Sequence, residues 1–132
     1  MMYRFLTIAQ HQQLWQNGSP ENREKDHVPV VKLFYPGTGC TWLLTEIDPD
    51  EPRLAFGLCD LGMGFPELGY VDLNEMDSVK IKGIWSVERD LDFKGKYPIS
   101  VYASAARVCD AITEDDTVLI QHVPKKWPGY KL

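Results

Sequence analysis

The sequence lacks the common residue patterns that identify a catalytic centre. It contains no Gly-x-Ser-x-Gly elbow, no His-Glu-x-x-His zinc motif, no Walker phosphate loop and no paired His and Cys. Its three cysteines are an odd number without Cys-x-x-Cys spacing, which favours reduced, buried thiols over disulfides or a zinc site. We therefore expect no metal, no cofactor and no catalytic residue, and we favour a non-enzymatic protein.

Long apolar runs and an excess of basic residues are also missing. Polar side chains interrupt residues 1–16 every few positions. This segment therefore lacks the unbroken apolar run of a signal peptide and the length of a membrane span. The chain has 14 basic and 19 acidic residues, and the net charge of -5 argues against a protein that neutralises phosphates over a broad surface. These absences predict a cytoplasmic protein that binds no membrane.

What the sequence does contain is a series of short apolar runs. At 132 residues, of which 44% are hydrophobic, the chain has the size of a single domain with one core. Turn residues divide residues 28–73 into four runs, and strands joined by turns this short pair as antiparallel neighbours, because a parallel partner needs a longer crossover. The predicted strands of this β-meander are about 30–35, 41–48, 53–61 and 67–73.

Helical patterns lie on both sides of the meander. Thr7 and Gln10 have the spacing of a capping box, which predicts a short N-terminal helix from about residue 8 to residue 16. Residues 98–112 have apolar side chains at three- and four-residue steps, which predict a long C-terminal helix. We therefore expect an α+β fold, in which an antiparallel β-meander of four to six strands packs against one long C-terminal helix and a short N-terminal helix.

The remaining segments are polar or short. Residues 18–27 are charged and contain Pro20, so they predict a mobile connection. Residues 117–123 have the composition of a last edge strand. The tail, residues 124–132, interleaves lysines with Trp127 and Tyr130, a pattern that can hold phosphates and stack bases, although the rings can equally pack back on the sheet. Nucleic-acid binding is therefore expected only through this tail.

Alternation along the strands assigns side chains to two faces, unless a bulge interrupts it. One face would carry the large Trp42 and Tyr35 and also Glu46, next to small residues of the third and fourth strands: Ala55, Gly57, Cys59 and Gly69. The opposite face would carry Phe34, Leu43, Ile47, Leu54, Phe56, Leu58, Leu68 and Tyr70. The small residues would leave a hollow, which either receives the C-terminal helix or forms a shallow pocket with Glu46 and Asp48 at its rim.

The candidate binding residues are therefore aromatic and acidic side chains of the sheet. They are Tyr35, Trp42, Glu46, Asp48, Glu67, Tyr70, Glu88 and Asp90. If Glu46 and Glu67 were close together, one carboxyl could stay protonated and act as a general acid. Glu88, Asp90 and Asp92 alternate along a predicted half-buried strand, but they would lie ~7 Å apart, so a divalent cation would need a further ligand from elsewhere. A solvated strand face explains the same residues.

A resemblance to a family is carried by five segments: VKLFYP, TWLLTEID, FGLCDLG, PELGYVDLNEM and IWSVERDLDF. With the opening FLT and the helix that follows it, they resemble an uncharacterised family of small proteins from plasmids, conjugative elements and phages. The likeness covers about Phe5 to Phe93 and fades after that. No activity is established for the family, so it implies no catalytic residue; it implies an accessory protein of a mobile element that acts by binding a host protein or nucleic-acid enzyme.

Three functions from different classes are therefore open. The favoured one is a non-enzymatic accessory protein that binds a host protein as an inhibitor or regulator, with anti-defence activity as one form of that role. The second is a module that binds a small ligand or nucleotide in the hollow, and the third is a carboxylate-based, metal-assisted hydrolase. Both a monomer and a homodimer are compatible with an open edge strand.

Overall fold

The computed structural model describes residues 2–125, which form one sheet and several helices. The elements are α1 (Ile8–Asn17), β1 (Val31–Phe34), β2 (Cys40–Asp48), β3 (Glu51–Leu61), β4 (Glu67–Asp72), α2 (Leu73–Ser78), β5 (Glu88–Arg89), α3 (Ile99–Cys109), α4 (Asp116–Leu119) and a 3₁₀ helix (Ile120–His122). The sheet is antiparallel and has five strands in the order β4-β3-β2-β1-β5. The predicted α+β class and the predicted antiparallel sheet are confirmed.

Helix α1 begins with the predicted capping box. The Thr7 hydroxyl accepts the Gln10 backbone N–H at 3.0 Å, and the Gln10 side-chain oxygen accepts the Thr7 N–H at 3.0 Å. The helix buries Leu14, and its last residue, Asn17, donates a hydrogen bond to the Thr45 carbonyl of β2 at 2.9 Å. Glycine at position 18 is required, because a Cβ there would lie 1.8 Å from the Ile47 carbonyl oxygen. This end of α1 is therefore fixed against β2.

A β-bulge in β2 changes the assignment of side chains to faces. Leu44 lies opposite Gly57 of β3 and Glu46 lies opposite the next residue, Phe56, so Thr45 is the extra residue. The buried Thr45 hydroxyl donates to the Phe56 carbonyl at 3.2 Å. After the bulge, Ile47 joins the face of Trp42, and Glu46 moves to the face of Phe56. The predicted positions of Ile47 and Glu46 were therefore wrong, because one extra residue inverts the alternation.

One face of the sheet, which we call the covered face, carries the buried side chains Val31, Leu33, Trp42, Leu44 and Ile47. Residues of the N-terminal segment, Tyr3, Phe5 and Leu6, pack on it together with side chains of α1 and α2. The C-terminal helix, expected as one possible cover of this face, lies on the other side of the sheet, where α3 packs on Leu43 and Leu58.

The opposite face is covered only in part. Helix α3 packs Tyr102, Ala105 and Ala106 into a second cluster with Leu43 and Leu58. It has 11 residues, so the prediction of a long helix is not confirmed: Asp110 adopts a left-handed conformation (φ 60°) and ends it. A helix of this length, about 17 Å, leaves part of the face without cover.

Residues 18–27 connect α1 with the first strand and also hold the start of α3. The Asp26 carboxylate accepts a hydrogen bond from the Ser100 backbone N–H at 3.1 Å and another from the Ser100 hydroxyl. The His27 carbonyl accepts the Ile99 N–H at 2.8 Å. These contacts supply a cap that α3 lacks in its own sequence, since Pro98 precedes it. Mobility of this connection stays a prediction.

The C-terminal part differs from the sequence-based expectation. Residues 117–123, predicted as an edge strand, lie in α4, the 3₁₀ helix and the residue after it. A helix forms here because Asp115 is its N-cap. The Asp115 carboxylate accepts hydrogen bonds from the Thr117 backbone N–H, at 3.0 Å, and from the Thr117 hydroxyl, at 2.7 Å. The tail with Trp127 and Tyr130 lies outside the described residues from position 126. None of the described helices is long and apolar enough to cross a membrane.

Candidate binding surfaces

The predicted hollow on the covered face is filled at Gly57, whereas nothing lies within 4 Å of a Cβ at Gly69. Trp42 and Tyr35 are buried, their rings meet edge to face at 5.4 Å, and the Tyr35 hydroxyl donates to the Met76 carbonyl at 2.8 Å. At Gly57, a Cβ would lie 1.9 Å from the Leu43 carbonyl oxygen, so the backbone of β2 occupies the space that the missing side chain leaves. These two aromatic residues therefore stabilise the core and form no exposed wall.

The predicted acidic rim is not assembled either. Glu46 lies on the other face, and the Asp48 carboxylate accepts the Asp50 N–H at 2.9 Å within the β2–β3 turn. Glu67 is in register with Cys59 and so belongs to the row of Trp42, whereas Glu46 belongs to another row. Glu46 and Glu67 therefore cannot share a proton, and the proposed general acid has no support from the geometry.

Glu88 and Asp90 lie at the other edge of the sheet. The predicted half-buried strand is only two residues long, and Leu91 beyond it is 82% exposed. The Asp90 carboxylate lies 3.4 Å from the Lys32 ammonium, which also contacts Glu114 at 2.5 Å. Burial lowers the pKa of Lys32, but its pairing with the two carboxylates outweighs burial and raises it. Within residues 2–125, no three His, Cys, Asp or Glu side chains are grouped to hold a metal ion.

Tyr70 is the one predicted aromatic residue that is exposed, at 64% of its surface. Its ring contacts Phe56 at 5.2 Å between centroids, with the planes 64° apart. Leu68, 39% exposed, and Leu54, half-buried, complete a surface that we call the uncovered patch: Leu54, Phe56, Leu68 and Tyr70. Sequence alternation had placed all four on one face, but only Tyr70 was selected, because the extent of the covering helix is not readable from the chain.

Glu46 lies at one end of the uncovered patch. The register places Glu46, Phe56 and Tyr70 in one row across β2, β3 and β4. The Glu46 carboxylate is half-buried and makes no hydrogen bond or close ion pair with any described residue. Burial raises its pKa, Asp48 adds to the shift, and the charges of His27 and Arg23 oppose it. The row therefore combines a carboxylate that is poorly compensated with two aromatic rings.

Strand β4 borders the uncovered patch and forms an edge of the sheet. No described strand pairs with its outer side, and its register with β3 runs without a break from Leu54–Asp72 to Cys59–Glu67. The middle of the strand, residues 68–71, has no charge, no proline and no bulge. Such an edge offers unpaired backbone N–H and C=O groups to another strand, and natural proteins usually protect it.

A second surface, which sequence reasoning missed entirely, is a cleft of about 470 Å³ beside α1. Its lining comes from four separate parts of the chain: Tyr3, His11, Trp15, Asp50, Glu51, Pro52, Arg53 and Asn74. The Arg53 guanidinium contacts the carboxylates of Glu51, at 3.1 Å, and of Asp72. No local motif could have indicated this cleft, because only the folded chain brings these residues together.

The fold and these surfaces define the class: an α+β domain on a five-stranded antiparallel sheet with one face incompletely covered. The chain belongs to the family described as "Protein of unknown function (DUF2958)", whose family model matches residues 5–113. The match includes α3, so the similarity extends beyond Phe93, where the sequence analysis expected it to fade. No curated protein and no solved structure matches the chain significantly.

Proposed function

We propose that this chain is a non-enzymatic binding protein that docks an extended segment of another protein on the uncovered patch and along β4. The proposal is supported by the position of the uncovered patch, with Leu54 and Phe56 on β3 and Leu68 and Tyr70 on β4, whose outer side pairs with no described strand. A strand added to β4 would satisfy backbone groups of that edge and cover Leu68 and Tyr70 at the same time. An extended segment of another protein would therefore pair with the edge and cover the two side chains together.

The charge at the patch specifies the partner further. Glu46 faces the same side as Phe56 and carries a carboxylate without a close partner. Glu46 lies on β2, two strands away from β4, so a lysine or arginine that neutralises this carboxylate would come from a part of the partner that lies over Phe56, with its aliphatic stem on that ring, and not from a strand added to β4. The proposed partner therefore contributes an extended segment with apolar side chains at alternate positions and, separately, a basic residue that lies over the patch.

The proposal includes a biological context that rests on the sequence resemblance. We infer that the chain is an accessory protein of a plasmid, conjugative element or phage, acts in the cytoplasm and binds a protein of the host cell as an inhibitor or regulator. A context of this kind agrees with a small domain that presents a binding surface.

The test starts from a defined partner. A protein captured from host lysate is identified by cross-linking and mass spectrometry, purified, and titrated against the chain by calorimetry. Tyr70→Ser should weaken binding by at least about tenfold, since aromatic residues at the centre of an interface contribute most of its energy. Leu91→Ser, which removes an even more exposed apolar side chain at the other edge of the sheet, is the control and should leave the affinity unchanged.

Strand addition is tested separately with Gly69→Lys. Nothing lies within 4 Å of a Cβ at this position, so the fold should tolerate the lysine, whereas a charge in the middle of β4 should block pairing and reduce affinity by at least about tenfold. Ala9→Lys on the exposed side of α1 makes the same change in charge and should have no effect. Retained affinity in both Tyr70→Ser and Gly69→Lys would overturn the proposal.

A second copy of the chain is the competing occupant of this surface. Light scattering over a range of concentrations distinguishes the two cases. A dimer that forms without any partner and is lost in Gly69→Lys would show that the edge serves self-association, and the host-protein proposal would then be wrong. We expect a monomer whose mass does not change with concentration.

A further inference from the structure

The cleft beside α1 lies apart from the uncovered patch and has a different composition. Its apolar lining consists of rings: the indole of Trp15, the imidazole of His11, the phenol of Tyr3 and the pyrrolidine of Pro52. His11 and Trp15 are stacked, with centroids 6.2 Å apart and planes at 28°, and Trp15 is 40% exposed. A volume of about 470 Å³ is in the range of pockets that enclose small ligands.

The charged groups of the cleft have a negative balance. Asp50 and Glu51 contribute two carboxylates, and the single guanidinium, Arg53, is already bound by Glu51 and by Asp72. The Asp50 carboxylate has no hydrogen-bond or ion-pair partner among residues 2–125. Arg53 is thus occupied and offers little attraction to an anion, whereas Asp50 is available to a cation.

The neighbouring groups have the same electrostatic character. Burial raises the pKa of the Tyr3 hydroxyl, and the negative charges of Asp72 and Asp77 raise it further. Burial also lowers the pKa of His11, and the positive charge of the amino terminus lowers it further, so the imidazole itself is favoured in its neutral form. The Tyr3 hydroxyl donates to the Asn74 side-chain oxygen at 2.5 Å, which links two parts of the lining.

We infer that this cleft binds a small organic cation, an ammonium group carried on an apolar or aromatic body. The ammonium would lie over the exposed face of Trp15 and within reach of the Asp50 carboxylate, because aromatic rings attract cations through their negative faces. The body of the ligand would pack against Pro52 and the ring of His11. This binding activity is separate from the protein docking proposed above and uses no residue of the uncovered patch.

Three probes with one phenyl ring and different end groups test the charge requirement. 2-Phenylethylammonium, 2-phenylethanol and 3-phenylpropionate are titrated into the protein at pH 7 and low salt, and binding is followed by the shifts of backbone amide signals in ¹H–¹⁵N NMR spectra. The ammonium compound should bind at least about tenfold more tightly than the alcohol, and the carboxylate should not bind. The shifts should map to α1 and to the turn at Asp50–Arg53.

Variants of the cleft test the residues. Trp15→Ala should weaken binding of 2-phenylethylammonium by at least about tenfold, and Trp15→Phe, which keeps a ring, should retain most of it. Asp50→Asn should weaken it several-fold. Trp85→Ala and Asp92→Asn remove an exposed indole and an exposed carboxylate elsewhere and should change nothing.

Three results would overturn the inference. They are equal affinity for the ammonium and the alcohol, no saturable shift at the cleft with any probe up to about 10 mM, and unchanged binding in both Trp15→Ala and Asp50→Asn. If Trp15→Ala failed to fold, Asp50→Asn and the comparison of the three probes would still decide the result. Tyr70→Ser should leave probe binding intact, so failure of the protein-docking proposal and failure of this one are distinguishable.

Discussion

The buried carboxylate of Asp60 accepts a hydrogen bond at 3.0 Å from the backbone N–H of Ile112, 52 residues further along the chain. Its other oxygen accepts the Gly62 N–H at 2.9 Å. One side chain at the end of β3 thus holds both the β3–β4 turn and the segment that follows α3.

Replacing Asp60 by alanine removes the acceptor of two partly buried hydrogen bonds. Hydrogen bonds to charged groups are worth about 1.5–3 kcal/mol each, so we expect Asp60→Ala to lower the free energy of unfolding by about 3 kcal/mol, measured by urea denaturation. Asp60→Asn keeps one acceptor and should lose about half as much. Asp92→Ala, which removes an exposed carboxylate, should stay within about 0.5 kcal/mol of the parent; equal stability of the two alanine variants would contradict the assignment.

Two glycines that are paired in the sheet should respond in opposite ways to the same substitution. A Cβ at Gly57 would lie 1.9 Å from the Leu43 carbonyl oxygen and 2.8 Å from the Leu44 Cα, so β2 would have to move. Gly57→Ala should therefore destabilise by about 2 kcal/mol or more.

Gly69, the partner of Gly57 on β4, has nothing within 4 Å of its Cβ position. Gly69→Ala should be neutral or stabilising by up to about 1 kcal/mol, because alanine restricts the unfolded chain. Thermal and urea unfolding of both variants measure the difference. A Gly57→Ala protein as stable as Gly69→Ala would show that β2 does not approach β3 in this way.

The stability should depend on pH through Glu46. Burial raises the pKa of this carboxyl above its ordinary value of 4.5, so the charged form is disfavoured in the folded protein. The contribution of Glu46 to the free energy of unfolding is therefore greatest at a pH below the ordinary pKa, and it is lost as the pH rises through the raised pKa of the folded protein. Glu46→Gln is neutral throughout and should be more stable than the parent at about pH 7, but not at about pH 3.5. If Glu46→Gln were less stable than the parent at neutral pH, the prediction would be wrong.

The thiols should differ strongly in reactivity. Burial raises the pKa of Cys59 to about 11, whereas Cys109 is exposed on the last turn of α3. At about pH 8 the raised pKa alone slows alkylation of Cys59 roughly 100-fold relative to an ordinary thiol, since the thiolate is the reacting species. Peptide mass spectrometry after iodoacetamide treatment should show rapid labelling of Cys109 and slow labelling of Cys59. Cys109→Ser should remove the labelling of that peptide without changing the slow labelling of Cys59, and comparable rates at Cys59 and Cys109 would be inconsistent with the burial of Cys59.

The elements that the sequence predicted correctly depend on interactions between close neighbours in the chain. The capping box of α1 needs only Thr7 and Gln10, and the meander follows from short turns between apolar runs. Such signals lie within a few residues, so they are readable before anything is known about packing. The N-cap Asp115, two residues before Thr117, is a signal of the same kind, and it would have identified α4 in place of a strand.

The features that the sequence could not supply depend on contacts between distant residues. The bulge at Thr45 is stabilised by Asn17 from α1 and by the Phe56 carbonyl, and nothing in the run around it indicates an extra residue. Because that residue inverts the alternation, the predicted rim with Glu46 was lost with it. Tyr3 and Trp15, which line the cleft, are 12 positions apart and meet Arg53 only in the folded chain. That the eight predicted binding residues contact a partner stays a prediction.

The two margins of the sheet are unequal: β4 is six residues long and uncharged in its middle, whereas β5 consists of Glu88 and Arg89 alone. A fibril grows through its sheets only if each molecule has two edges that can pair, one with the molecule before it and one with the molecule after it. Of the two edge strands in the described residues, only β4 is long enough to accept a strand, so association through β4 should end after one addition. The domain can therefore keep an exposed edge strand for binding a partner without forming fibrils.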